Sequence, residues 1–558
     1  MPTHSIPIRN LIAIACILAM AVCSQSQTAN TTRGTLSGGR YKISGIVINK
    51  VTSSALPLVR VTITDAKNPG KSAFVTTSEN GKFEFAGVPA GKYSLTGEKR
   101  GFVAASYDQH EEFSTAIVTG AGLETENLTL RLAPNAVIAG KVLDEAGEPV
   151  RHATISLYHD DHSSGIDQIR HIRSTVTDDQ GAYEIASLRP GTYFVSVNAT
   201  PWYAIHPSSR GQRWHVGEEA DEPSAVDRSL DVAYPLTFYA DVTDSDDATP
   251  IPIRGGDHLQ VDIHLNPVPA LRLLFHVSGD REHGFAHPSF QQPVFDSSTP
   301  VAFSEERMVS RGLFEVTGIP AGRYNVNLSS PETALQMNGV DLTRDGQEID
   351  TSRAEALSTV KISAQVQGEV TLPQNLFVGL RSGNRNTPGM RMLDPKGEIE
   401  FQQIAPGAYE VIVRGSTPYS VAHMTVDGSQ VLGHALTVTP GASPVVAITL
   451  VGGSTNVEGT VKKANQPFAG AMVVLVPSDP QNNRDLFRRD QSDLDGSFTL
   501  RGVVPGSYTV LAIENGWDLE WSQPSVVAAY LKHGRKIQVS DRAGPTVTVS
   551  EAIEIQPE

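Results

Sequence analysis

The chain has 558 residues, enough for three or four domains of ordinary size, and 39% hydrophobic against 19% charged residues can supply real cores. A formal charge of −16, from 61 acidic and 45 basic side chains, argues against nucleic acid as a partner, because an acidic surface repels phosphate. With 48 Gly, 35 Pro and only 6% aromatic residues, the composition favours many turns and short strands over long helices.

The N-terminal residues 1–29 read as a signal peptide. Arg9 supplies the positive charge, and the apolar run Leu11 to Val22 is too short to cross ~30 Å of hydrocarbon as a helix. Small and polar residues follow at Ser24-Gln25-Ser26. The two cysteines, Cys16 and Cys23, both fall in this leader, so the mature protein has no disulfide framework, Cys-ligated zinc or thiol nucleophile. Cys23 raises the alternative of a lipoprotein anchor, against which Met20 and Val22 stand where Leu and a small residue are wanted. No later stretch reaches ~18 uninterrupted apolar residues, so no membrane span is expected in the mature chain. The expected location is secreted, periplasmic or at the cell surface.

After the leader, one pattern recurs five times. Its copies are Gly81-Lys-Phe83-Glu-Phe85 with Val88, Gly91 and Tyr93; Gly181-Ala-Tyr183-Glu-Ile185 with Leu188, Gly191 and Tyr193; Gly312, Phe314, Val316, Ile319, Gly322 and Tyr324; Gly397, Ile399, Phe401, Ile404, Gly407 and Tyr409; and Gly496, Phe498, Leu500, Val503, Gly506 and Tyr508. The second Gly always lies ten residues after the first, with Tyr two further on. Composition alone predicts on the order of 0.1 such matches. The first Gly suits a turn with φ > 0, and the alternating residues suit half-buried strands. The Pro-Gly step, as in Pro190-Gly191, Pro406-Gly407 and Pro505-Gly506, reads as a type II turn closing a hairpin. The Tyr is expected to pack its ring and bond its hydroxyl to that turn, as in the tyrosine corner of Ig-type sandwiches.

Upstream blocks complete each module. Gly45-Ile-Val-Ile, Gly140-Lys-Val-Leu and Gly459-Thr-Val-Lys each read as the start of a first strand. The degenerate third and fourth modules offer Leu271-Arg-Leu-Leu-Phe and Val366-Gln-Gly-Glu-Val instead. Closing strands are Leu128-Thr-Leu-Arg-Leu, Leu259-Gln-Val-Asp-Ile-His-Leu and Val445-Val-Ala-Ile-Thr-Leu. The expected fold is all-β, a tandem array of about five Ig-like, prealbumin-type antiparallel β-sandwich modules. They cover 40–134, 135–267 (with an aromatic-rich insertion at 200–256), 268–358, 359–452 and 453–558. Short connections such as Ala133-Pro134-Asn135 suggest a semi-rigid string.

The hairpin, the G-x-V strand and the P-V-x-x-A-x-I type of block together resemble the carboxypeptidase regulatory-like domain, most fully in modules one, two and five. The resemblance implies a transthyretin-like sandwich classed with carbohydrate-binding-like folds, and an exported binding, adhesive or accessory role. It is specific for fold and weak for function, since such sandwiches host many jobs.

No catalytic signature accompanies it. His215-Val-Gly-Glu218 matches a zinc carboxypeptidase pair only in spacing, with no βα alternation around it, so an enzyme is not expected and no cofactor is implied. Weak metal candidates are His159 and His162 in His159-Asp160-Asp161-His162, and the hard oxygens of Asp241, Asp244, Asp246 and Asp247. Recognition by aromatic faces is favoured. Trp202, Tyr203 and Trp214 in the insertion, and Trp517 and Trp521 in module five, could stack on sugar rings. The bland alternative is that these rings seal the sandwich ends. A helix from Pro524 to Lys532, stopped by Gly534, is expected to cap the last sheet. The expected partner is a glycan or an envelope protein, and the rival function is a structural spacer or an accessory subunit.

Overall fold

The computed structural model describes residues 36, 38–120, 122–206, 227–276, 287–310, 312–329, 334–368, 372–382, 385–386, 389–416, 419–431, 434–453, 455–540 and 544–558. The leader with Cys16 and Cys23, the His215–Glu218 segment and Trp214 lie outside them. None of the described helices is long and apolar enough to cross a membrane. The described chain is all-β in class, with many strands and almost no helix, and divides into two compact units. One runs to Asp108 and resumes over Ala116–Leu132. The other holds Gln109–Thr115 together with Ala133–Glu558.

Every repeat builds two sheets. In the first unit, Tyr41–Asn49 lies between Lys82–Val88 and Leu128–Leu132, while Arg60–Asp65 lies between Ser72–Thr76 and Gly91–Glu98. The second unit repeats this plan four times, beginning at Ala136–Leu143, Leu271–His276, Ser358–Val366 and Thr455–Lys463. In the fourth repeat the first strand therefore ends at Val366, where the sequence reading had it begin. The alternation Val360, Ile362, Ala364, Val366, all buried, is the signal that was there to be read. Apolar alternation fills each core: Phe83 and Phe85 are buried with Glu84 exposed between them, and the same side of Leu128–Leu132 is buried.

Three features differ from a plain antiparallel hairpin fold. The closing strand of each repeat pairs parallel to the first strand, as Leu128–Leu132 does with Tyr41–Asn49 and Val445–Gly452 with Ser358–Val366. Secondly, the two strands flanking each Pro-Gly step do not pair with one another: Ala182–Leu188 joins Ala136–Leu143, whereas Gly191–Asn198 joins Thr154–Asp161. The step is an arch that carries the chain from one sheet to the other. Thirdly, its Gly does not adopt the type II conformation; φ is 158° at Gly191 and 157° at Gly407, close to extended. At Gly91, Gly322 and Gly506 the Tyr ring crowds any side chain, and at Gly191 it is His159 Nε2 that a Cβ would meet, at 2.7 Å. A Cβ on Gly322 would lie 3.0 Å from the Tyr324 hydroxyl.

That hydroxyl is the shared device of the repeat. Tyr93, Tyr193, Tyr324, Tyr409 and Tyr508 each donate to the carbonyl four residues earlier, at Pro89, Arg189, Pro320, Ala405 and Val504, over 2.8–3.1 Å. Burial raises all five phenols, that of Tyr508 to about 12, so they remain neutral donors. Tyr324→Phe is expected to cost about 1–2 kcal/mol in urea unfolding, because the Pro320 carbonyl loses its donor, and Tyr324→Ala about 3–5 kcal/mol. A Phe variant as stable as the parent would show that the hydroxyl contributes nothing.

A further shared feature sits six residues after the first Gly. Gly87, Ser187, Gly318, Gln403 and Gly502 all have φ between 59° and 87°. Each occupies a β-bulge where the register against the first strand shifts, as between Ile185 and Leu188.

Within the second unit the sandwiches touch both chain neighbours and more distant repeats. Phe295, from the third repeat, meets Tyr158, Phe194 and Phe238 of the second edge-on or tilted at 4.9–5.6 Å. The Ser522 hydroxyl of the fifth repeat donates to the carbonyls of Ser164 and Gly165 of the second, at 3.1 and 3.0 Å. A string in which only successive modules meet does not describe this unit.

Candidate functional site

The aromatic insertion of the second repeat separates into buried and open parts. Phe238 and Tyr234 are buried, and Tyr239 packs partly buried against the core of that sandwich. Trp202 is 86% exposed, its ring edge-on to Tyr203 with centroids 5.9 Å apart. Tyr203 is half-buried and donates its hydroxyl to Glu145, which also accepts from the Tyr234 hydroxyl at 3.0 Å. Desolvation pushes the Glu145 carboxyl up, but the bonds from Tyr203, its own backbone and Tyr234 outweigh this and hold it below its ordinary value. Burial and the same carboxylate push the Tyr203 phenol up to about 12. The result is an open indole beside a fixed carboxylate–phenol network. The segment is further pinned by Ile205 N–H to the Leu230 carbonyl at 2.9 Å and by His206 Nδ1 to Asp231 Oδ1 at 2.9 Å.

The fifth repeat does something else with its tryptophans. Trp517 is 7% exposed and belongs to a second apolar layer with Met472, Val474, Phe487, Leu511 and Val527. This layer covers the outer face of the sheet whose inner face forms the main core, so Met472–Pro477 is buried on both sides. His110 stacks on the Trp517 ring at 4.7 Å and 5°, and Arg489 lies over it at 5.5 Å. Trp521 is half-buried, with Arg489 at 4.5 Å from its centroid. A ring so deeply buried and stacked by His110 offers no open face to a sugar, which removes Trp517 from the expected platform. The helix expected from Pro524 to Lys532 is a short helix, Pro524–Val527, followed by a 3-10 turn, Leu531–His533. It caps the sheet through Val527, Tyr530 and Leu531.

The proposed metal ligands do not converge. His162 bonds Asp167, and His159 tilts against the Tyr193 ring at 4.8 Å. Asp241 accepts from the His264 backbone and ring, at 2.8 and 3.2 Å. Asp244 caps the turn Ser245–Asp247 by accepting from the Asp246 N–H, a local bond rather than a shared ligand position. Asp246 and Asp247 lie in that turn. Among the described residues, the group of three ligands that does converge is Glu410, His434 and Asp485, all within 4.8 Å of one another. Sequence reading missed it, because its members are spread over 76 positions (485 − 410 + 1) with no motif spacing.

Paired sheets, a parallel closing strand and the Tyr arch define a tandem all-β sandwich protein. Two segments of it, residues 42–132 and 137–206, in the first and second repeats, match the family model of the carboxypeptidase regulatory-like domain. No curated protein matched the chain. Similar solved structures include the Bacillus anthracis TIE protein, at 9% identity over 79% of this chain and 78% of that one, with a TM-score of 0.17. The streptococcal ancillary pilin shows 14% identity over 52% of this chain and all of its own, with a TM-score of 0.20. Two B repeat units of the collagen-binding protein of Staphylococcus aureus show 11% identity over 73% and 99%, with a TM-score of 0.12. All three TM-scores are low.

Proposed function

We propose that this is an exported, non-enzymatic, multi-module binding protein of the cell envelope that recognises a glycan through its second repeat. The observation that carries the reading is Trp202, an indole 86% exposed at a site held by the Tyr203–Glu145–Tyr234 bonds. An open indole face pairs with the apolar C–H face of a sugar, and a fixed acidic group beside it can accept from sugar hydroxyls.

A structural spacer, or an accessory subunit recognising a protein, is the second reading. It draws on Trp517 and Arg489, which are spent on internal packing.

The deciding experiment is a glycan-array and insoluble-polysaccharide pull-down of the mature chain beside Trp202→Ala. Retention is expected to fall about tenfold in the variant, the effect of losing ~1–1.5 kcal/mol of stacking, with the unfolding curve unchanged. If the parent chain is retained on no glycan, the lectin reading is wrong and the spacer or accessory reading takes its place.

A further inference from the structure

We propose that Glu410, His434 and Asp485 form a binding site for a divalent transition cation such as Zn2+, which ties the fourth repeat to the fifth.

The strands bring the first two ligands together. Glu410 lies on Gly407–Arg414 and pairs in register with Ala435, the residue after His434. The Val411 N–H bonds the His434 carbonyl at 3.0 Å, which fixes the backbone on both sides. The third ligand, Asp485, comes from the turn Arg484–Leu486 of the fifth repeat.

His434 is 5% exposed, and its Nε2 lies 2.9 Å from the Val421 carbonyl. A carbonyl only accepts, so Nε2 carries a proton and donates it. In the neutral ring this leaves Nδ1 with a free lone pair. Nδ1 points at Asp485 Oδ1 over 3.6 Å, and both atoms are buried without a hydrogen-bond partner. Two buried acceptors facing each other unsatisfied are unfavourable, and a cation between them would satisfy both. A backbone carbonyl fixing the far nitrogen is also the usual arrangement behind a metal-bound imidazole. The other Asp485 oxygen accepts from the Ser420 hydroxyl at 3.3 Å, which orients the carboxylate.

Glu410 is shared with Arg381, whose Nε donates to Oε2 at 3.0 Å, and Arg484 lies close enough to feel both. These two guanidiniums offset the charge of Glu410. They therefore select for a cation held by a nitrogen donor over one held by charge alone. One imidazole and two carboxylates suit Zn2+ and its transition-metal neighbours, whereas Ca2+ and Mg2+ prefer all-oxygen shells. Tetrahedral bonds of ~2.0–2.2 Å space ligand atoms roughly 3.4 Å apart, so these atoms, within 4.8 Å of one another, would have to close in on the cation.

The full mature chain, stripped with EDTA and titrated with ZnCl2 in a calorimeter, tests this alongside Asp485→Asn, His434→Gln and, as a control, His162→Gln. One Zn2+ per chain is expected, with a rise in the unfolding temperature and no comparable response to Ca2+ or Mg2+. Asp485→Asn keeps the shape of the side chain and is expected to weaken binding by ~100-fold or more, beyond the losses typical of outer ligand partners. His162→Gln is expected to bind as the parent does. Co2+ bound in place of Zn2+ should give a visible absorption band that both His434→Gln and Asp485→Asn abolish. A parent chain that binds no Zn2+, or binding that survives in Asp485→Asn and His434→Gln alike, would overturn the assignment.

Discussion

Gly140→Ala is expected to destabilise the second repeat by about 3–5 kcal/mol, among the largest effects of any single methyl group in this protein. Gly140 lies in the middle of Ala136–Leu143, where the sequence pattern had placed it at the strand's start. A Cβ there would sit 1.9 Å from the Val261 carbonyl oxygen, 2.6 Å from its carbon and 2.9 Å from the Tyr183 ring. None of these can move independently. Val261 lies between His258–Gln260 and Ile263–His264, which both pair parallel to the first strand. Its N–H bonds the Ala139 carbonyl at 2.8 Å, and its own carbonyl accepts from the Tyr183 hydroxyl at 2.7 Å. Gly45 meets the Leu128 carbonyl in the same way, at 2.1 Å. The methyl therefore pushes apart the parallel pair that closes the sandwich. Hydrogen exchange at the amides of 136–143 should accelerate together. Gly147→Ala separates this crowding from backbone strain, since Gly147 has open space around it but φ of 80°. It should cost only about 1 kcal/mol. Equal effects at the two sites would refute the crowding account.

Much of the fold was legible because the repeat writes it five times. Alternation such as Phe83-Glu84-Phe85 and the Gly and Tyr ten and twelve positions apart state which residues face the core and where the chain turns. The Tyr hydroxyl bond followed from the same spacing. The partner of each strand was not legible. Two alternating strands around Pro-Gly look alike whether they pair within one sheet or arch between two, and only the long-range partners decide. The left-handed bulge was hidden for a different reason: Ser187 and Gln403 hold it in two copies, and neither advertises positive φ as Gly87, Gly318 and Gly502 do. Site residues depended on contacts far along the chain. Trp202 and Trp517 are the same residue type in similar company, yet one is open and the other is covered by His110, some 400 positions earlier. Glu410, His434 and Asp485 meet because two sandwiches abut, which no local pattern records.

Arg489 shows how much such distant contacts weigh. Its side chain is 2% exposed, ion-paired to Glu111, and lies over Phe113 at 4.8 Å and Trp521 at 4.5 Å. Glu111 and Phe113 belong to Gln109–Thr115, the segment that packs within the second unit although it falls inside the first repeat in sequence. Gln491 strengthens the attachment by donating to the Thr115 hydroxyl at 2.8 Å. Glu111→Ala leaves a buried guanidinium without its counter-charge, with only Glu112 at 3.8 Å as a substitute. The expected loss is about 3 kcal/mol, and the exposed side of Glu111 keeps it from being larger. Arg489→Met, by contrast, keeps the stem volume against the three rings and removes the charge that needs pairing, so it should cost less than Glu111→Ala. In the double variant the loss should fall short of the sum by 1 kcal/mol or more, because neither half of the pair is then left unpaired. Release of the segment would also uncover the Trp517 face stacked by His110, so tryptophan emission should shift to the red in Glu111→Ala and return toward the parent in the double variant. The loss should persist in 1 M salt, where an exposed pair would already be screened. Additive losses with unshifted emission would mean that the ring stack alone holds Gln109–Thr115 in place and that the ion pair merely accompanies it.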